Sequence, residues 1–319
     1  MITFQTLAAH PPAFPSLSGL TLTSFEALYQ DFAAWYAKDR QQSLTRKHRH
    51  PRRRAAGAGA KFSLDGRTRL LMALVWLRTY PTYEVLGFLF SLTKGNAQRG
   101  VMDVLATLEA HTVFACERPA QQRQKLRSVQ AVMDAFPDVR LVIDAKEQRV
   151  QRPSGDDESG NSRQRPFYSG KKKTHTLKTQ VAVSPEGQFQ AVSASVPGSI
   201  HDLTLLRRTG LLHRLESTEA AMLDKGYDGV RGDHPGRLCY LPHKARRGRP
   251  LTDEQKAFNA HLSKYRIVVE HSLAQMNQFQ ALAQVFRHDR HRHSGLTRVV
   301  AGLVNRRVAD RPLKVYAAA

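Results

Sequence analysis

Three acidic residues in the second half of the chain stand where chemistry could be done. Asp144 closes the apolar run Leu141-Val142-Ile143, and Asp224 closes Ala221-Met222-Leu223 just before Gly226. Each reads as an acid ending a buried strand. Glu270 lies in SKYRIVVEHSLAQMNQF, where Arg266, Glu270 and Asn277 fall at spacings of four and seven and share one helix face. Converging carboxylates hold hard divalent cations such as Mg²⁺. Two ions about 3.5–4 Å apart activate the attacking oxygen of a phosphodiester and stabilise the leaving one. Taken singly, each Asp reads more readily as a turn or loop-capping residue, and Glu270 with Arg266 equally well as a surface ion pair. Asp202, in GSIHDLTLL, competes with Asp224 for the second position. It falls at a helix start, where an Asp capping free backbone N–H groups is the ordinary explanation.

The elements around these acids follow from periodicity. VRLVIDA, HTLKTQVAVS and GQFQAVSASVPG alternate and are rich in Val, so three strands are expected. HDLTLLRRTGLLHRLES reads as a helix, AAMLDKGYDG as a short strand ending at Asp224, and RLCYLPHK as a further strand. A long helix is expected over 252–279, capped by Thr252, with a helical tail near LTRVVAGLVNRRV. That order is the order of a ribonuclease-H-like α/β domain. In its sheet the first and fourth strands are neighbours, which favours Asp224 over Asp202 as the partner of Asp144.

Upstream, residues 21–40 read as an amphipathic helix with Phe25, Leu28, Phe32 and Tyr36 on one face and Thr23 or Ser24 as the cap. RKHRHPRRRAAGAGAK at 46–61 holds no acid and reads as a basic linker or a phosphate-binding arm, with Arg52, Arg53 and Arg54 at its centre. Three helices are expected over 63–110, capped by Ser63, Thr82 and Thr93 and separated near Pro81 and Ser91-Leu92. This is the outline of a helix-turn-helix, although an ordinary three-helix bundle fits the spacing equally well. The first turn of the last helix carries Lys94, Asn96, Gln98 and Arg99, residue types that contact bases and phosphates.

The chain of 319 residues carries 49 Lys and Arg against 27 Asp and Glu, a net charge of +22. Such an excess calls for an acidic partner, and nucleic acid is the usual one. Lys171, Lys172, Lys173 and Lys178 in YSGKKKTHTLK are expected to track a DNA backbone, as are Arg246 and Arg247 in KARRGR. His288, His291 and His293 are spaced unlike a zinc site and read as a solvated basic tail. Trp35 and Trp76 are expected in core, and the distant Cys116 and Cys239 as buried thiols. The sequence shows no secretory leader and no membrane-spanning run. A cytoplasmic, nucleoid-associated protein is the corresponding expectation.

The run from 137 to about 310 resembles the catalytic domain of DDE transposases of bacterial insertion sequences, in the group related to PIF/Harbinger elements. The resemblance rests on IDAKEQRVQRP, YSGKKKTHTLKTQ, VPGSIHDLTLLR, LDKGYDG and NAHLSKYRIVVEHSLAQMNQF, in that order. Residues 63–110 resemble the helix-turn-helix that precedes that domain. The resemblance implies an α/β ribonuclease-H-like catalytic domain behind an all-α helix-turn-helix domain, with parts at 1–62, 63–125 and 137–319. It implies Asp144, Asp224 and Glu270 as metal ligands and catalytic residues, with Asp202 and Arg266 as accessories. Two Mg²⁺ ions, replaceable by Mn²⁺, would serve strand cleavage and strand transfer. The implied partners are double-stranded DNA, as terminal inverted repeats and target, and further copies of the chain in a dimer or larger synaptic complex. Two departures stand out. Ala145-Lys146 replaces the usual Gly-Thr after the first Asp, and Asn277 replaces a Lys seven residues after the Glu. They keep open a DNA-binding protein of transposase descent that does not cut. A structural nucleic-acid-binding protein would explain the charge but not the acids at strand ends.

Overall fold

A computed structural model describes residues 1–45, 63–112, 136–156 and 160–310. The basic arm with Arg52, Arg53 and Arg54, and Cys116, lie outside them. Two compact units emerge, residues 1–113 with 278–281, and residues 114–277 with 282–319.

The first unit is all-helical. Helices α1 (Phe4–Ala8) and α2 (Ala13–Ser18) precede α3 (Leu22–Thr45), which buries Phe25, Leu28 and Phe32 as their spacing predicts. Its cap is Thr21, not the expected Thr23 or Ser24, the Thr21 hydroxyl accepting the Ser24 backbone N–H at 3.1 Å. Helices α4 (Gly66–Thr79), α5 (Tyr83–Phe90) and α6 (Lys94–His111) follow. Thr82 and Thr93 cap α5 and α6 as expected. Asp65, not Ser63, caps α4, because its carboxylate reaches both the backbone N–H and the hydroxyl of Thr68. Tyr80 and Ser91 end α4 and α5 in the left-handed conformation, which turns the chain sharply between helices.

The expected division at 62/63 is not a division of packing. Arg67 of α4 pairs with Glu26 of α3, and Arg69 of α4 joins Tyr36 of α3 and Asp103 of α6. Trp76 is fully buried, while Trp35 is half-buried and stacks on His111. Residues 278–281 belong here as well, with Arg78 donating to the Gln278 carbonyl at 2.6 Å.

The second unit is built on a mixed sheet. Its strands are β1 (Val139–Arg149), β2 (Tyr168–Ser169), β3 (Thr174–Val183), β4 (Phe189–Val192), β5 (Val196–Pro197), β6 (Ala220–Leu223) and β7 (Leu238–Tyr240). The order is β2-β3-β1-β6-β7, with β4 and β5 also pairing with β3. β1 runs antiparallel to β3 and parallel to β6, and β6 parallel to β7. This is the α/β arrangement consistent with a ribonuclease-H-like fold, and it makes β1 and β6 neighbours.

Strand alternation divides the second unit's core. Leu141 and Ile143 of β1, Ala221 and Leu223 of β6, and Cys239 of β7 point to one face. There they meet Leu206 of α7 (Asp202–Thr209) and the residues that follow it, with Tyr227 and Val230. The helix expected through Ser217 breaks at Gly210, which is left-handed, and resumes as a 3-10 turn. On the opposite face lies α9 (Asp253–Asn277), which follows the short α8 (Val230–Asp233). Its start is a reciprocal cap, the Thr252 hydroxyl accepting the Gln255 backbone N–H and the Gln255 amide oxygen accepting the Thr252 N–H. After α10 (Gln280–Ala283), α11 (His293–Asp310) forms the expected helical tail and packs on β4. No helix of the described residues is long and apolar enough to cross a membrane.

Candidate functional site

The parallel ladder of β1 and β6 ends at the pair Ile143 and Leu223, so Asp144 and Asp224 follow each other's neighbours on adjacent strands. Both lie one residue past a core-facing position and point to the face covered by α9. The expectation that Asp144 ends its strand needs correction. Pairing with β3 carries β1 on to Arg149, so Asp144 sits mid-strand, where the parallel ladder stops but the antiparallel one continues.

Electrostatics distinguishes the two acids. Burial pushes the Asp144 carboxyl above the usual carboxylate range, and the nearby Asp224 charge adds to that rise. The Ala145 backbone N–H, Arg266 and Lys171 pull it the other way but do not prevail. Asp224 accepts the Lys225 N–H at 2.6 Å and pairs with Arg266 at 3.0 Å. A half-buried carboxyl beside a second acid favours a bound cation over an empty charge. The donors are hard oxygens, which suits Mg²⁺ or Mn²⁺.

The helix face that sequence spacing assigned to Arg266, Glu270 and Asn277 is anchored at both ends. Arg266 reaches Asp224, and Asn277 accepts a hydrogen bond from the Lys146 ammonium at 2.6 Å. Glu270 falls between them on the same face, exposed, with no hydrogen bond or ion pair to another described residue. Among the described residues no three acids, histidines or cysteines form a ready-made metal cluster. Asp144 and Asp224 carry the hard oxygen donors a divalent ion takes, while Glu270 forms no three-acid cluster with them.

Lys146 and Asn277, the two departures from the family pattern, meet each other. Lys146 lies two residues past Asp144 on the same strand face and also donates to the Leu282 carbonyl at 3.0 Å. Burial, helped by the nearby Lys172 charge, pulls its ammonium down to about 8.

Three sequence expectations are overturned by burial. Lys178 does not track a DNA backbone. It pairs across the sheet with Glu147 at 3.5 Å, with Asp202 at 2.8 Å, and donates to the Ile200 carbonyl. Asp202 is not an N-cap. His201 holds that position, and Asp202, the first helical residue, turns its carboxylate to Lys178 instead. His293 is not in a solvated tail. Its ring lies buried between the Ser195 hydroxyl at 2.6 Å and the Gln148 amide oxygen at 2.9 Å, and burial lowers its pKa to about 3. His291 is exposed and His288 half-buried.

Glu147, Gln180 and Tyr227 were not legible as site residues. Gln180 donates to the Tyr227 hydroxyl at 3.0 Å, and burial drives that phenol well above its ordinary pKa. Glu147 shares Lys178 with Asp202, a grouping visible only once β1 and β3 are in register. Gly226 explains part of LDKGYDG, since a Cβ there would stand 2.8 Å from the Asp202 carboxylate.

The remaining basic residues divide by unit. Lys171, Lys172 and Lys173 are exposed on the β2–β3 turn, and Arg246 and Arg247 on a loop closed by the Arg246–Arg249 bridge. In the helical unit, Lys94, Asn96, Gln98 and Arg99 are exposed on the first turns of α6, while Ala97, Val101 and Val104 face its core. Arg99 donates to the Asn96 side chain at 2.6 Å, and Lys94 pairs with Glu84.

Residues 143–305 match the family model described as DDE superfamily endonuclease. Residues 62–114 match the one described as helix-turn-helix of DDE superfamily endonuclease. The chain is also similar to the probable transposase for insertion sequence element IS702 of Microchaete diplosiphon. The two are 29% identical over 242 residues, which cover 76% of this chain and 80% of that protein.

Proposed function

From a chain that belongs to the DDE endonuclease superfamily and carries that superfamily's helix-turn-helix, we infer a DNA transposase that binds element ends and cuts and joins their strands. The observation that carries this reading is the placement of Asp144 and Asp224 on neighbouring strands beneath the 266–277 face of α9. Endonucleases of this superfamily use divalent metal ions, and Asp144, Asp224 and Glu270 would hold them here. When bound, such ions lower the pKa of an attacking water or hydroxyl and offset charge on the leaving oxygen.

The chain's own residues supply the rest. Asp144 lies half-buried, where water screens less, so a charge brought there is felt strongly. Arg266 balances Asp224 and holds its carboxylate toward α9. Lys171, whose charge is felt at Asp144, would meet a phosphate oxygen of the strand being cut. Lys94, Asn96, Gln98 and Arg99 would enter a major groove, the residues on α6 reading bases and the β2–β3 turn holding backbone. Joining two element ends in one event calls for at least two copies of the chain.

One observation favours a second reading, a DNA-binding descendant that no longer cuts. Asp224 is already engaged by Arg266, and Glu270 does not converge on the two Asp residues. Mn²⁺-dependent nicking of an end-containing plasmid by the full chain separates the two. Nicking that disappears in Asp144→Asn establishes the transposase reading, and tight binding without nicking establishes its rival.

A further inference from the structure

A cavity of about 670 Å³ begins at Lys146, two residues along β1 from Asp144, and is lined among others by Gln148, Arg149, Lys172, Lys173 and Asn277. Its one acid, Glu147, is spent on Lys178 and on the Thr176 hydroxyl, which donates to it at 2.8 Å. The cavity therefore gathers cations with no acid of its own to offset them. Lys146 is the anomaly within it. An ammonium carries three donors, and Lys146 aims two at neutral acceptors, the Asn277 side chain and the Leu282 carbonyl. No described carboxylate pairs with it. A half-buried cation with only neutral partners is eased when an anion completes its surroundings.

The backbone holds the other lysines at the same cavity. Lys173 adopts a φ of 53°, a left-handed conformation uncommon for a residue with a side chain, and its N–H donates to the Ser169 carbonyl at 2.8 Å. The Lys172 N–H is taken by the Ser169 hydroxyl. The turn that presents these side chains is thus fixed at some cost, in the way functional turns often are.

We propose that this cavity is a phosphate seat for the DNA strand beyond the Asp144–Asp224 pair, with Lys146 as its innermost contact and Lys172 and Lys173 at its mouth. The proposal rests on the transposase reading for the source of the phosphate. Two residues along an extended strand separate Lys146 from Asp144, about 7 Å, which matches one or two nucleotide steps of a DNA strand. A space of this size accommodates more than a single phosphate group and suits a nucleotide-sized segment of chain.

The test is fluorescence anisotropy of the full chain with a fluorescein-labelled mixed-sequence DNA duplex in EDTA, across a KCl series. Lys146→Met should make the slope of log K against log[salt] shallower by about 0.9, roughly an eightfold loss at 0.1 M salt, and Lys146→Arg should restore it. The double variant Lys172→Met, Lys173→Met alters only exposed side chains and should lower the slope by about 1–2. An unchanged slope in folded Lys146→Met overturns the proposal while leaving the DNA-binding reading intact. A second arm titrates inorganic phosphate and follows thermal melting. If the parent chain shows no salt-dependent DNA binding, yet phosphate raises its Tm and not that of Lys146→Met, the anion seat stands and the DNA reading falls. If neither probe distinguishes the variant, the seat falls as well.

Discussion

The first turns of α6 and the end of the β1–β6 ladder both present polar side chains, but they hold them in opposite ways. On α6 the side chains are exposed and satisfied locally, Arg99 by Asn96 and Lys94 by Glu84. They can exchange those partners for bases and phosphates at little cost, since surface pairs contribute little. Where the β1–β6 ladder stops, Asp144 is desolvated and pushed toward protonation, and two residues on Lys146 is half-buried among neutral partners. A surface built to read a ligand can be at rest without it. A site built for charged chemistry carries its tension in advance, and the sheet supplies the rigidity to bear it.

The largest expected effect breaks the sheet side of this contrast. Asp144→Asn, Asp224→Asn and Glu270→Gln should each reduce metal-dependent cleavage by on the order of 10³-fold, about 4 kcal/mol of barrier, while DNA binding by gel shift survives. Normal cutting by any of the three would remove it from the proposed ligand set.

Next is the buried imidazole that supports the same face. His293 is held near a pKa of 3, whereas an unfolded histidine titrates near 6.5. Below about pH 6.5 the unfolded chain takes up a proton that the folded chain refuses, so this residue's contribution falls as pH falls and keeps falling toward pH 3. Between pH 7 and 5 that amounts to about 2 kcal/mol. His293→Gln should flatten the corresponding part of the Tm-against-pH curve. A parallel curve would mean the ring is not held neutral.

A smaller effect is expected at Asp202. Asp202→Asn should destabilise by about 1–2 kcal/mol in urea unfolding, because Lys178 keeps Glu147 as a partner but loses the shorter of its two ion pairs. Cleavage should persist at a reduced rate. Complete loss of cleavage at unchanged stability would instead place Asp202 among the metal ligands.

The smallest effect tests the surface side. Arg99→Ala should cost about 1–3 kcal/mol of preference for an element end over unrelated DNA. Lys171→Met should weaken binding to both alike. Equal behaviour of the two variants would show that α6 does not read sequence.

What the sequence made legible follows local rules. The caps Thr82, Thr93 and Thr252, the Phe25–Leu28–Phe32 stripe and the strand ending at Asp224 each depend on residues a few positions apart. What stayed hidden depends on pairing. Lys178 looks like one more lysine of a basic run until β3 is set against β1 and Glu147 falls opposite it. His293 looks like one more residue of RHDRHRH until Gln148 and Ser195 close around it. The short helices α1 and α2 carry too few turns to show a period. The Asp144–Asp224 pairing was readable from strand order, but the separation of Glu270 from it was not, because periodicity gives a helix face and not its distance from the sheet.

The close approach of Gly226 to Asp202 bears on how this sequence can drift. The backbone at 226 is not left-handed, so an alanine would be tolerated there by the chain itself. Only the Asp202 carboxylate, pinned by Lys178, excludes the methyl group. Two motifs separated by more than twenty residues are therefore tied as a single unit of inheritance. A lineage that acquires alanine at 226 must shorten the side chain at 202 or release it from Lys178, and the two positions should be found changing together.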